Sequence, residues 1–102
     1  MEDLTYWRGV LDGLDSTLVC ILVRREAVSR TLGEIKGVNN LDTHQPSREQ
    51  EIVTRLALLY SELGGHHHEP LDYIARVYTS VFNQSREIQD ELSYQGCSKT
   101  QL

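Results

Sequence analysis

Apolar side chains recur every three or four positions over residues 4–35, at Leu4, Trp7, Leu11, Leu14, Leu18, Ile21, Val28, Leu32 and Ile35, and no proline interrupts them. That is the spacing of one helical face. With Asp3 as N-cap and Gly37 as stop signal it predicts a single helix of about 34 residues. Gly9, Gly13 and Gly33 only weaken it. At ~1.5 Å per residue such a helix is roughly 50 Å long, whereas a compact 100-residue chain has a radius of gyration of about 13 Å. The stripe overshoots its own domain, so a second chain is expected to cover it.

Residues 37–46 (GVNNLDTHQP) carry turn chemistry and end in a proline. Ser47 followed by Gln50 is a capping-box signature for a second helix, with Ile52, Leu56, Leu59 and Leu63 on one face. Gly64-Gly65 should end it. Pro70 suits the first turn of a third helix, which runs to about Ser93 with Ile74, Val77, Val81, Ser85, Ile88 and Leu92 as its stripe. The predicted fold is all-α, with three helices per chain and a second chain covering the first of them. One domain spans residues 1–93, followed by a flexible C-terminal tail over 94–102, where periodicity is lost.

The informative positions are polar residues on apolar seams. Arg25 falls in the series Leu18, Ile21, Val28, Leu32, where an unpaired cation costs several kcal/mol and therefore calls for an anion. An ion pair to another helix or a snorkelling side chain would also satisfy it. Lys36 lies three turns farther on, on nearly the same face and ~16 Å away. Arg8 lies ~25 Å from Arg25 in the other direction, out of reach of the same small molecule except from a partner chain. On the third helix Ser85 interrupts the stripe and Gln89 follows one turn later, so both point inward, as ligand contacts or as hydrogen-bonded core residues. Arg48 and Glu49 open the second helix, where a solvated first turn is the plainer reading. Together they describe an enclosed site with several cations, one carboxylate and neutral donors.

Composition narrows the chemistry. One hundred and two residues allow one domain. A net charge of −5 disfavours nucleic acid as a partner, because a phosphate backbone requires a basic face. The longest apolar run, residues 18–23, is too short to span a bilayer, and Glu2 and Asp3 stand where a secretory signal would be basic. Cys20 and Cys97 are expected as free thiols of a cytoplasmic protein. No Ser-His-acid set and no zinc spacing occurs, and His66-His67-His68 reads as a solvated loop. Neither metal nor cofactor is expected.

In register, these residues resemble the all-helical (AroQ-class) chorismate mutases from Tyr6 to Gln89. The shared pattern begins with Arg8, seven residues before the closing Asp15 of LDGLD, and an Arg-Arg pair ending ten residues past that Asp at Arg25. It continues with the Gly-x-x-Lys of GEIK ending at Lys36, an Arg-Glu starting twelve residues later at Arg48, and the Ser-x-x-x-Gln of Ser85 and Gln89. The resemblance implies two chains interlocked through their first helices to form two equivalent sites. It further implies that Arg8 of the partner subunit and Arg25 hold the two carboxylates of a small dianion, supported by Arg48. Lys36 and Gln89 would flank the ether oxygen of the breaking bond, Glu49 would accept the ring hydroxyl, and Ser85 would add a polar contact. Gln45 departs from the family's frequent acid at that position, beside the ring's C4 substituent. Some members also dock on the first enzyme of the shikimate pathway.

The implied reaction, chorismate to prephenate, is a unimolecular rearrangement that needs neither base nor nucleophile. It needs a clamp for the reactive conformer and donors aimed at the charge growing on the ether oxygen. Three alternatives share parts of the pattern. A 4-amino-4-deoxychorismate mutase is compatible with Gln45. An isochorismate pyruvate-lyase typically has an apolar residue where Glu49 stands. A non-catalytic helical dimer leaves Arg25, Ser85 and Gln89 without a reason.

Overall fold

A computed structural model describes residues 3–101, with side chains through Ser93. It contains three helices, α1 (Leu4–Val38), α2 (Pro46–Glu62) and α3 (Pro70–Gln101). α1 begins where the pattern places it. The Asp3 carboxylate accepts the Tyr6 backbone N–H at 2.9 Å, occupying one of the four donors that a helix start leaves unpaired.

The end of α1 differs from expectation. Gly37 does not stop the helix; it lies inside it and is buried. Asn40 takes the left-handed conformation instead (φ 55°), and the Leu41 N–H closes back on the Lys36 carbonyl at 2.8 Å. Asparagine tolerates that conformation better than most residues, so it can serve as a C-terminal cap. Gly37 is thereby released for packing. The capping box also gives way to a simpler start for α2. Pro46 is the first helical residue, Gln45 is the N-cap without a side-chain capping bond, and the Glu49 N–H reaches the Gln45 carbonyl at 3.1 Å. Proline's fixed φ suits that first position and moves Ser47 into the first turn, where its hydroxyl no longer caps.

Gly64 and Gly65 end α2 as the sequence predicts. Gly64 sits at φ 97°, and the Gly65 N–H bonds to the Tyr60 carbonyl at 2.9 Å. The loop that follows is more ordered than a solvated histidine run would be. His67 stacks on Tyr73, its backbone N–H donates to the Tyr60 hydroxyl, and its Nδ1 accepts the Glu69 N–H at 3.0 Å. His66 and His68 are exposed. Pro70 opens α3. That helix continues past Ser93; the side chains of residues 94–102 lie outside the described residues, as does the flexibility expected of that segment.

α3 is the central element. It packs against both α1 and α2, while among the described residues no Cα of α1 comes within 8 Å of a Cα of α2. The apolar core lies between α2 and α3 and consists of Val53, Ala57, Ile74 and Phe82. On α2 the buried line is therefore rotated from the predicted stripe, and Leu59 and Leu63 remain exposed. The α1–α3 seam has a different character. Ser29, Gly33 and Gly37, spaced four apart, are its buried residues on α1. A Cβ added at Gly33 would lie 2.8 Å from the Gln89 Cα, and one at Gly37 2.9 Å from the Ser93 Cα. The two backbones approach as closely as glycine allows.

The N-terminal half of α1 projects beyond this packing. The molecule measures 67 × 27 × 16 Å with a radius of gyration of 17.7 Å, well above the ~13 Å of a compact chain of this length. Leu11, Leu14 and Leu18 on the projecting stripe are 57%, 61% and 54% exposed. No helix among the described residues is long and apolar enough to cross a membrane.

Candidate active site

Because α1 and α2 diverge from a shared neighbour, they leave a cleft of about 660 Å³ over the middle of α3, a volume suited to a small molecule. The cleft draws on all three helices and on the α1–α2 loop, which is tied to α3 by a hydrogen bond from the Thr43 hydroxyl to the Asp90 carboxylate. Val28, Leu32, Ile52 and Phe82 form apolar walls.

Lys36 occupies the last turn of α1, where the helix dipole favours a cation. Its Nζ donates to Gln89 Oε1 at 2.6 Å. Gln89 is only 6% exposed, and its Nε2 donates to Ser85 Oγ at 3.2 Å. Ser85 Oγ in turn lies 2.7 Å from Ser29 Oγ. The four side chains form one chain of hydrogen bonds along the α1–α3 seam. A satisfied buried network of this kind is rigid, so the ammonium is held in place before any ligand arrives. Two of its three N–H groups remain available to the cleft.

Arg25 lies three turns earlier on α1 and is half-buried, with its guanidinium carbon 5.8 Å from the centre of the Tyr78 ring. The ring's negative face steadies the cation without neutralising it. Among the described residues neither Arg25 nor Lys36 has an ion-pair partner, whereas Arg48 pairs with Glu51 at 3.4 Å on the exposed rim. Glu49 is half-buried in the first turn of α2 and receives Arg86 from α3. Gln45 lines the cleft beside it and donates to the Asp42 carbonyl at 3.2 Å.

Seven of the eight site residues expected from sequence, namely Arg25, Lys36, Gln45, Arg48, Glu49, Ser85 and Gln89, line this one cleft. Arg8 does not. It is exposed on the projecting half of α1, remote from the cleft of its own chain. Three contributors escaped the sequence reading: Arg24 on the rim, Ser29 in the buried network, and Arg86 opposite Glu49. Ser29 could have been found from its place in line with Gly33 and Gly37. Arg86 carried no such signal, because a lone arginine on a largely polar turn looks solvated.

Charge is distributed unevenly. The chain carries −5 overall, yet among the described residues the cleft is lined by Arg24, Arg25, Lys36, Arg48 and Arg86 against the single carboxylate of Glu49. Low-dielectric walls and one sign of charge focus the field, concentrating small anions there. Such a site can bind a small dianion, fix its conformation and donate to a developing negative oxygen. Among the described residues no group of three His, Cys, Asp or Glu side chains is arranged to hold a metal ion.

Comparison with known proteins agrees with this chemistry. A relative, the bifunctional chorismate mutase/prephenate dehydratase of Aquifex aeolicus (strain VF5), is 29% identical over 102 residues, covering 98% of this chain. The chain spans 28% of that relative's length. No solved structure matches. Residues 7–90 match the family described as chorismate mutase type II, and the chain belongs to that family.

Proposed function

We propose that this protein is a chorismate mutase, an isomerase that converts chorismate to prephenate in aromatic amino-acid biosynthesis in the cytoplasm. The observation that carries the proposal is Lys36. It is an ammonium with no counter-ion among the described residues, held by a buried glutamine in a cation-lined cleft. Arg25, supported by Arg48, binds a carboxylate of the substrate and, with Arg8 of the partner subunit, holds the diaxial conformer in which the new C–C bond can form. As the ether C–O bond lengthens, negative charge grows on its oxygen. The free N–H groups of Lys36 and the second N–H of Gln89 stabilise that charge, an effect worth ~3–4 kcal/mol for a well-placed donor. Glu49 accepts the ring hydroxyl, with Gln45 beside it, and Ser85 keeps Gln89 oriented.

The site is incomplete in one chain. The proposal includes a homodimer in which the long first helices pair, and Arg8 of each enters the other's cleft to bind a carboxylate. The uncovered leucines of α1 support this, since a contiguous apolar stripe on an isolated chain marks an interface. Docking on the first shikimate-pathway enzyme would be a further layer, tested by adding that enzyme to the assay.

Following the absorbance of chorismate with the pure protein tests the reaction. Mixing Arg8→Ala with Lys36→Ala chains tests the shared site. Each variant alone should be inactive, but a mixed dimer holds one intact site, so a re-equilibrated equimolar mixture should recover about a quarter of the wild-type rate. Absence of recovery, with mixed dimers demonstrated, would rule out the shared site. Absence of any prephenate from the wild type would rule out the function.

A further inference from the structure

Four ion pairs occur among the described residues. Three are local and exposed, joining residues three or four apart on one helix: Arg30–Glu26, Arg48–Glu51 and Arg76–Asp72. The fourth links two helices. Arg86 Nη1 on α3 lies 3.2 Å and 3.1 Å from the two carboxylate oxygens of Glu49 on α2, with the side chains 27% and 24% exposed. A second anchor fixes the same guanidinium, since its Nη2 donates to Asn83 Oδ1 one turn earlier on α3. Arg86 is thus held on both sides, and it approaches the one carboxylate that lines the cleft among the described residues.

The consequence is electrostatic. Arg86 cancels the charge of Glu49, and Gln45 contributes none, so this corner of the cleft is close to neutral. A carboxylate offers about four acceptor positions, and a single bridging N–H donor leaves some of them unused. A ligand hydroxyl needs no more than one such acceptor. A ligand ammonium needs net negative charge; here it would meet a paired carboxylate, with a guanidinium just behind it and more cations across the cleft. Repulsive elements of this kind set specificity as strongly as attractive ones.

We propose that Arg86 is a positioning and specificity-determining residue that orients Glu49 as a hydroxyl acceptor and makes the cleft reject an amine at that ring position. This rests on the chorismate mutase function proposed above. It predicts that the wild type turns over chorismate and strongly disfavours 4-amino-4-deoxychorismate.

The test measures kcat and KM on both substrates, with the melting temperature recorded for every variant. Arg86→Met should narrow the preference for chorismate by about tenfold or more, and Arg86→Lys, which keeps the charge, should retain most of it. In a Glu49→Gln background, Arg86→Met should change the ratio by less than about twofold, because residues acting through one another are not additive. If Arg86→Met fails to fold, Arg86→Gln, which also removes the charge, carries the same ratio measurement and should narrow the preference likewise, with Arg86→Lys as the charge-preserving control. An unchanged ratio alongside a lowered melting temperature would reduce the pair to a structural strut and overturn the proposal. So would a wild type that uses the amine as readily as chorismate. A wild type that turns over neither substrate would remove the parent function, a result distinct from an active enzyme with an unaltered ratio.

Discussion

Lys36 owes its place to residues that carry no charge. Gly33 and Gly37 bring α1 against α3 closely enough for its Nζ to reach Gln89 at 2.6 Å. Asn40 then takes the left-handed conformation two residues after Val38, where α1 ends, and Thr43 and Gln45 of the loop line the cleft. Lys36→Ala should lower kcat by about a hundredfold to a thousandfold with the fold intact; near-normal turnover in a steady-state assay would exclude its role. Gln89→Leu removes the acceptor of the ammonium and the donor to Ser85 at a buried position. It should cost about 1–3 kcal/mol in urea unfolding, the usual penalty for orphaned buried polar groups, besides lowering kcat. A substitution without measurable effect on stability would mean that the Lys36–Gln89–Ser85–Ser29 chain is not cooperative.

At the scale of elements, the three helices were legible because a period near 3.6 needs no knowledge of the partner. Asp3 and Pro70 are local signals and act locally. The first turn of α2 was harder, because Pro46 and Ser47 are both acceptable starts and the proline wins through its fixed φ. Glycines were read in the wrong currency. Their propensity cost within a helix is real, but at Gly33 it is outweighed by the contact a side chain would destroy. Gly33→Ala should therefore destabilise the protein by roughly 1–3 kcal/mol, as overpacking does, although alanine is the better helix former. A melting temperature equal to or above wild type would show that the seam can yield. Asn40→Gly should be nearly neutral and Asn40→Ala should cost about 1 kcal/mol, because only the first suits a left-handed residue.

At the scale of the whole molecule, the excess length of α1 is the dominant fact. Its apolar stripe leaves the core formed with α3, and Trp7, the one tryptophan in the sequence, lies on that projecting part. If two chains cover the stripe, tryptophan emission should be blue-shifted at micromolar concentration and move to the red on dilution, in parallel with the sedimentation coefficient. On the proposed shared site, Leu14→Glu places a charge on the stripe and should yield monomers with activity lowered about a hundredfold, because the cleft would then lack Arg8 of the partner subunit. A fully active monomer would dispose of the shared site.

The sequence by itself determined the helices, the length of the apolar stripe on the first of them and the cations on apolar faces. Each of these follows from spacing along one chain and from the cost of leaving apolar surface wet or charge buried. Only the tertiary structure decided how those faces meet. Ser29 joins Ser85, Arg86 finds Glu49, the glycines become a contact line, and Arg25 and Lys36 have no counter-ion among the described residues. Periodicity assigns a residue to a face of its own helix; it carries no information on what another helix, dozens of residues away, sets against that face.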